Sequence, residues 1–218
     1  MKIEIKQNCL WIREAESPDV LFSSRENWME PLSKQECLLL IVEPCTSFRM
    51  PQDTERCREI AVFFQKLPVL TIFASSTLEQ VDFSALLLFD IRLGVSDYIL
   101  PRETIFTVEQ QERYKILCGE QALLQYHSFI KNGKEDGWKT RLMRILPETA
   151  HFSEAVQAYA EDLWKDKTPF QTKAVISCLL QARTGNVQQV LKAESCQFYR
   201  LIKAKGEAAA NGTDETMV

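Results

Sequence analysis

LPVLTIFASSTLEQVDFSALLLFDIRLG, residues 67–94, is the stretch on which the fold turns. Its first part, VLTIFA (69–74), is a continuous apolar run of strand length, the pattern of a parallel strand covered on both faces. Ser76-Thr77-Leu78-Glu79 has the spacing of a capping box, which predicts a helix over about 77–89. Leu86, Leu87, Leu88 and Phe89 make that helix apolar nearly all round, so it is expected to be buried. IRLGV (91–95) is then a further strand.

Upstream, LLLIVE (38–43) repeats the buried-strand pattern. Between it and Pro68, Cys57, Ile60, Ala61, Phe64 and Leu67 recur at helical spacing, with Asp53 or Thr54 as cap and Pro68 as terminator. Residues 38–95 therefore read β-α-β-α-β with short connections, which predicts a right-handed parallel arrangement. Residues 3–12 alternate as a strand or hairpin at a sheet edge, and 14–36, polar and holding Pro18 and Pro31, read as loop with a short helix. Beyond 95 the chain is mainly helical, with helices over 107–118, 120–130 after Gly119, 152–164, one opened by Thr168-Pro169 and ended by Gly185, and one over 186–204. A short strand, LMRIL (142–146), interrupts them, and the tail 206–218 is small and polar.

The chain has 218 residues, 45% apolar and 26% charged, with a net charge of −4. That length suits one sizeable domain with a helical appendage. Mild acidity without a basic, aromatic-interleaved cluster argues against nucleic acid as a partner. Seven scattered cysteines, with no C-x-x-C and no histidine at zinc-ligand spacing, predict neither a disulfide framework nor a metal site. No apolar run approaches the roughly 20 residues of a membrane span, and the start, MKIEIKQNCLWI, lacks the pattern of a secretory signal. The expectation is a cytoplasmic protein.

Residues 67–94 resemble the stretch of the crotonase (enoyl-CoA hydratase/isomerase) superfamily that runs P-V-I-A-A-V-N-G-x-A-x-G-G-G-x-E-L-A-L-A-C-D-I-R-I-A, with Asp90-Ile91-Arg92 reproducing its ending. Ser47-Phe48-Arg49-Met50-Pro51-Gln52-Asp53 is similar to the family's A-F-S-A-G-A-D. Leu117 to Ala122 resembles L-V-G-x-x-x-A, and Ile145-Leu146-Pro147 resembles V-V-P. Thr168-Pro169 with Lys173, and Glu194 with Phe198, resemble the C-terminal landmarks. The resemblance implies an α/β fold with a crotonase-like ββα spiral core over 1–150, a C-terminal helical region for trimerisation over 151–205, and a disordered tail over 206–218. It further implies a homo-trimer or hexamer, or a hetero-oligomer with an active crotonase.

The same resemblance implies a site. Family chemistry uses two backbone N–H groups that hold a thioester oxygen as it becomes an enolate, and these map to Met50 and Val81. Pro51 stands where a glycine follows the first donor, and Gln80-Val81-Asp82 replaces three glycines, so bulk occupies the path of a thioester and a negative charge lies beside its oxygen. Of two glutamates used as general acid and base, one is Ser84 here; the nearest equivalent of the other is Glu103, one place beyond Pro101-Arg102. Arg49, Arg56 and Arg58 surround the first motif, where they can serve coenzyme A phosphates or form a solvated helix face. His127 and His151 read as structural, and Cys45 and Cys57 as small buried hydrophobes or as thiols flanking the site.

Three functions are open at this point. The first is an accessory or weakly active subunit in acyl-CoA or acyl-carrier metabolism, similar to short crotonases of polyketide and non-ribosomal peptide pathways, with a narrow or closed pocket. The second is an active hydratase, isomerase or decarboxylase on a coenzyme A or phosphopantetheine thioester, with both amides aimed at one open position. The third is an interaction module without a pocket. No cofactor or metal is expected beyond the thioester itself, and an acyl carrier protein is an expected partner.

Overall fold

The computed structural model describes residues 1–34, 36–45, 47–76, 80–95, 108–132, 142–146 and 151–183, with positions 200 and 203. The chain divides into two compact units, Met1–Ala160 and Glu161–Val218.

The first unit is built on a six-stranded sheet. Strands β1 (Lys2–Lys6) and β2 (Cys9–Ala15) form an antiparallel hairpin. Gln7 and Asn8 join them with φ of 50° and 62°, the positive pair that a two-residue type I′ turn requires. From β2 the sheet continues through β3 (Leu39–Pro44), β5 (Leu70–Ser75), β7 (Ile91–Gly94) and β8 (Arg144–Ile145), each pairing parallel to the last. The inner strands are the apolar runs of the sequence: Leu39 to Val42 and Ile72 to Phe73 are inaccessible to solvent, as a parallel strand covered on both faces should be.

Two further strands, β4 (Ser47–Phe48) and β6 (Gln80–Val81), pair with each other as a separate parallel ribbon in the register Ser47↔Gln80 and Phe48↔Val81. Helices α1 (Pro18–Ser23) and α2 (Met29–Ser33) occupy the region expected to be loop with one short helix. Ser17 caps α1, and Trp28, fully buried, donates its indole N–H to the Leu21 carbonyl at 3.1 Å, tying the two helices together. Helix α3 (Thr54–Gln65) starts at Asp53, whose carboxylate accepts the N–H groups of Glu55 and Arg56 at 2.8 and 3.2 Å.

The predicted helix over 77–89 is corrected. Residues 80–81 are strand, and helix α4 spans only Phe83–Leu86. The capping-box pattern is local, whereas the hydrogen bonds that Gln80 and Val81 satisfy run to a strand more than thirty residues earlier, a tertiary gain that outweighs local propensity. Within LMRIL only Arg144–Ile145 is strand.

Helices α5 (Val108–Cys118) and α6 (Glu120–Asn132) meet at Gly119, whose φ of 87° is the left-handed conformation that ends α5; its N–H reaches the Lys115 carbonyl at 2.9 Å. Helix α7 covers Phe152–Asp162. In the second unit, α8 (Pro169–Ala182) opens with a full capping box, Thr168 and Gln171 exchanging bonds of 3.3 and 2.8 Å. The helix expected over 186–204, its end at Gly185 and the tail lie outside the described residues.

Two aromatic clusters fix what lies between the sheet and the helices. Phe48 of β4 packs on Phe73 of β5 and on Phe89, with ring centroids 5.6 and 6.1 Å away, and Phe64 of α3 completes the group at 5.3 Å from Phe89. Phe83 of α4 lies 5.5 Å from Tyr114 and 5.0 Å from Tyr126, joining α4 to α5 and α6. Edge and offset packings of this kind add to plain burial. They hold the β4–β6 ribbon and α4 in fixed register, and with them the residues below.

Candidate functional site

Met50 lies two residues beyond the end of β4 and Asp82 follows β6, so the short ribbon brings the two segments side by side. Asp82 N–H donates to the Phe48 carbonyl at 3.2 Å, extending the ladder by one bond. Asp82 is also the N-cap residue of α4: its carbonyl accepts from Ala85 and Leu86 at 3.1 and 3.2 Å, but its side chain makes no bond to the helix. The carboxylate is directed elsewhere. Its Oδ2 accepts the Met50 backbone N–H at 3.0 Å. The amide that the sequence assigned to one half of an anion hole therefore already holds an anion, and that anion belongs to the protein.

Val81, the residue assigned to the other half, has a buried side chain and stands opposite Phe48 in the ribbon. Ser84, in place of a carboxylate, is half-buried in α4. Glu103 lies outside the described residues.

Beside Met50 is a cavity of about 120 Å³, smaller than the roughly 300–1,000 Å³ of a drug-sized ligand site. Helix α3 presents to it Thr54, Cys57, Arg58, Ala61 and Gln65, one stripe at steps of three and four residues. The opposite wall is Ser84, Leu87 and Leu88, and Arg113 of α5 also contributes. The Cys57 thiol donates to the Pro51 carbonyl at 3.1 Å. Burial pushes this thiol up from its ordinary value, and the Asp53 and Asp82 carboxylates push it further, so it stays protonated near neutral pH and is a poor nucleophile.

The arginines assigned to coenzyme A phosphates have different surroundings. Arg49 is exposed, and Arg58 lines the cavity. Arg56 turns toward α1, where it meets Asp19 at 2.6 Å, Ser23 at 2.8 Å and Glu59 at 3.0 Å, its guanidinium 4.5 Å from the Phe22 ring centroid. His151 is exposed near Glu154 at 4.0 Å, and His127 lies beside the Tyr126 ring. Among the described residues no cluster suits a metal ion, no disulfide is present, and no helix is long and apolar enough to cross a membrane.

Asp90 and Arg92 carry the fold. Asp90 Oδ2 accepts both the N–H and the hydroxyl of Thr71, at 2.8 and 2.9 Å, which fixes the start of β5. Its Oδ1 faces Arg113 at 3.4 Å. Arg92 is buried, donating to the Phe89 carbonyl at 2.7 Å and to the Leu142 carbonyl at 2.5 Å, so it anchors the approach to β8. Sequence reasoning did not single out Arg113. A lone arginine in a polar helix gives no periodic signal of burial, and its place beside the cavity depends on how α5 packs.

No protein-family model matches the sequence, and no curated protein matches it. Solved structures do. An enoyl-CoA hydratase/isomerase family protein from Silicibacter pomeroyi superposes with a TM-score of 0.66 at 12% identity, covering 92% of this chain and 99% of its own. An enoyl-CoA hydratase from Bacillus anthracis gives 0.66 at 12% identity over 97% of this chain and 96% of its own. Pseudomonas aeruginosa DspI gives 0.63 at 17% identity over 93% and 95%. The chain has the crotonase fold.

Proposed function

We propose that this crotonase-fold protein binds an acyl thioester without the family's full catalytic power, as an accessory or weakly active subunit of acyl-CoA or acyl-carrier metabolism that works beside an active crotonase. The observation that carries this reading is the 3.0 Å bond from the Met50 N–H to the Asp82 carboxylate. A thioester oxygen turning into an enolate needs donors already in place and unoccupied. Here it would have to displace a carboxylate that is tied to the same ribbon by its own backbone, and it would develop negative charge next to that carboxylate. Both effects raise the barrier. The replacement of a carboxylate by Ser84 removes a general base from the same wall. The cavity beside Met50 favours a protein that still receives a small ligand over a module with no pocket.

A cinnamoyl-type thioester, whose absorption moves to the red when its carbonyl is polarised, tests the reading directly. The wild-type chain is expected to bind it with little spectral change, whereas Asp82→Gly should produce a clear red shift with the amide released. Rapid turnover of an enoyl thioester by the purified wild-type chain would overturn the proposal. Calorimetry with acyl-CoA, with and without an active crotonase, measures the accessory role: heat from the mixture beyond the sum of the two separate chains supports it.

A further inference from the structure

Strand β1 is the outer strand of the six-stranded sheet, and its sequence, KIEIK, is exposed at every position. Ile3 and Ile5 stand opposite Ile12 and Leu10 of β2, which are fully buried members of the main core. Directly opposed side chains share a face. The apolar, core-facing side of the sheet therefore runs on to β1, where it ends on two isoleucines 38% and 54% accessible. The backbone of the same two residues is aimed at solvent. The two-residue turn makes Lys6↔Cys9 a hydrogen-bonded pair, and in an antiparallel ladder such pairs alternate. Glu4↔Trp11 and Lys2↔Arg13 thus bond to β2, while the N–H and C=O groups of Ile3 and Ile5 point off the edge.

Lysines on an edge strand ordinarily guard it against a second strand. Here they alternate with a glutamate, so the guard bars the fully overlapped register and not every register. With two β1 strands antiparallel and fully overlapped, Glu4 would face Glu4 and Lys2 would face Lys6, like charges across every polar pair. A slip of one residue would turn the isoleucines of one strand toward the polar face of the other. Slipped by two so that Ile5 faces Ile5, the strands set Glu4 against Lys6 twice, in the close pairs, and the two Ile5 residues exchange both backbone bonds. The opposite slip, centred on Ile3, would draw on Lys2, whose ammonium Glu14 of the same chain already holds. We infer that β1 pairs with β1 of a second copy of this chain about a two-fold axis, antiparallel and centred on Ile5, so that one sheet runs through both copies. Glu4 meets Arg13 of its own chain only at 3.7 Å, a long contact that a directly opposed lysine can share. Five residues of edge are less than a standard interface, so the dimer is weak, with a Kd roughly in the micromolar range or above. The inference stands apart from the acyl-thioester reading.

Sedimentation equilibrium of the full chain, at concentrations up to about 0.5 mM, tests it through a concentration-dependent doubling of mass. Ile5→Pro takes away an outward N–H and spares the bonds between β1 and β2, a substitution that an edge strand accepts. It should abolish the doubling. Charge reversal adds a test that misfolding does not imitate. Glu4→Lys and Lys6→Glu each set like charges opposite one another in the register centred on Ile5, so either variant alone should raise the dimer Kd about tenfold. Mixed in equal amounts, the two variants present opposite charges across both pairs and should dimerise at least as tightly as the wild type. A wild-type chain that never doubles overturns the inference and leaves the edge to a strand of another protein. Doubling that survives Ile5→Pro and both charge reversals overturns it in favour of a different face, and a mixture that fails to recover the dimer overturns it as well.

Discussion

At the scale of single residues, the decisive feature is an aspartate that occupies a helix N-cap position and gives its side chain to another segment. An N-cap aspartate ordinarily bonds the N–H groups of its own first turn, as Asp53 does for α3. Asp82 reaches Met50 instead. The resemblance of motifs puts a negative charge beside the oxyanion position, and the contact gives that charge a partner. That much of the site was legible because the motif fixes which residues face each other. The cavity was less legible: apolar periodicity puts Cys57 and Ala61 on the core side of α3, and only tertiary packing shows that Thr54 and Gln65 join them on one cavity-facing stripe. Cys57 itself gives a prediction. With its pKa raised, a smaller fraction is thiolate at any given pH, so alkylation by iodoacetamide near pH 8 should run slower than for a free thiol and accelerate as pH rises. Asp82→Asn removes part of the charge that raises it and should speed alkylation. Mass mapping of the modified peptide reads both, and labelling of wild-type Cys57 at the free-thiol rate would contradict the argument.

At the scale of elements, β3, β5 and β7 were legible since each is a short apolar run bounded by breakers, and α3 because its cap and terminator flank a periodic stripe. The region 77–89 was misread for the reason that also creates the site: a local capping pattern lost to long-range pairing of β4 with β6. The pairing of β5 with β7 depends on Asp90, which precedes β7 and closes on Thr71 near the start of β5. Thr71 is fully buried, so its N–H has no access to water if that carboxylate is removed. Asp90→Ala would strand this donor and also remove a carboxylate from beside the buried Arg113 guanidinium. The expected loss is roughly 3 kcal/mol or more, from an orphaned buried donor together with a broken buried charge pair. Thr71→Val keeps the shape and the backbone bond and removes one hydroxyl, so it should cost only about 1 kcal/mol. Urea unfolding of the two variants checks the order, and a Thr71→Val loss equal to that of Asp90→Ala would show that the carboxylate is not the anchor.

At the scale of the whole molecule, a cysteine buried in the main core has a thermodynamic consequence. Cys37 is 1% accessible and belongs to the main core, alongside Leu40 and Leu32. Burial pushes its thiol up, with the neighbouring Glu36 adding to the shift. A thiol whose folded value is raised stabilises the fold fully at pH below its unfolded value. As pH climbs past the unfolded value, the unfolded chain releases the proton first, and the contribution is lost by the time pH passes the folded value. Stability should therefore fall on the alkaline side of the ordinary thiol range. Lysine and tyrosine titrations at still higher pH would blur this in the wild type alone, so the comparison that isolates it is Cys37→Ala. Replacing a small buried hydrophobe by alanine costs a fixed amount at every pH, through lost packing. The variant lacks the titrating group, and the gap in stability between wild type and Cys37→Ala should narrow as pH rises through the thiol range. Parallel denaturation curves from pH 7 to 10 measure that gap, and a separation that stays constant would remove Cys37 from the alkaline response of the fold.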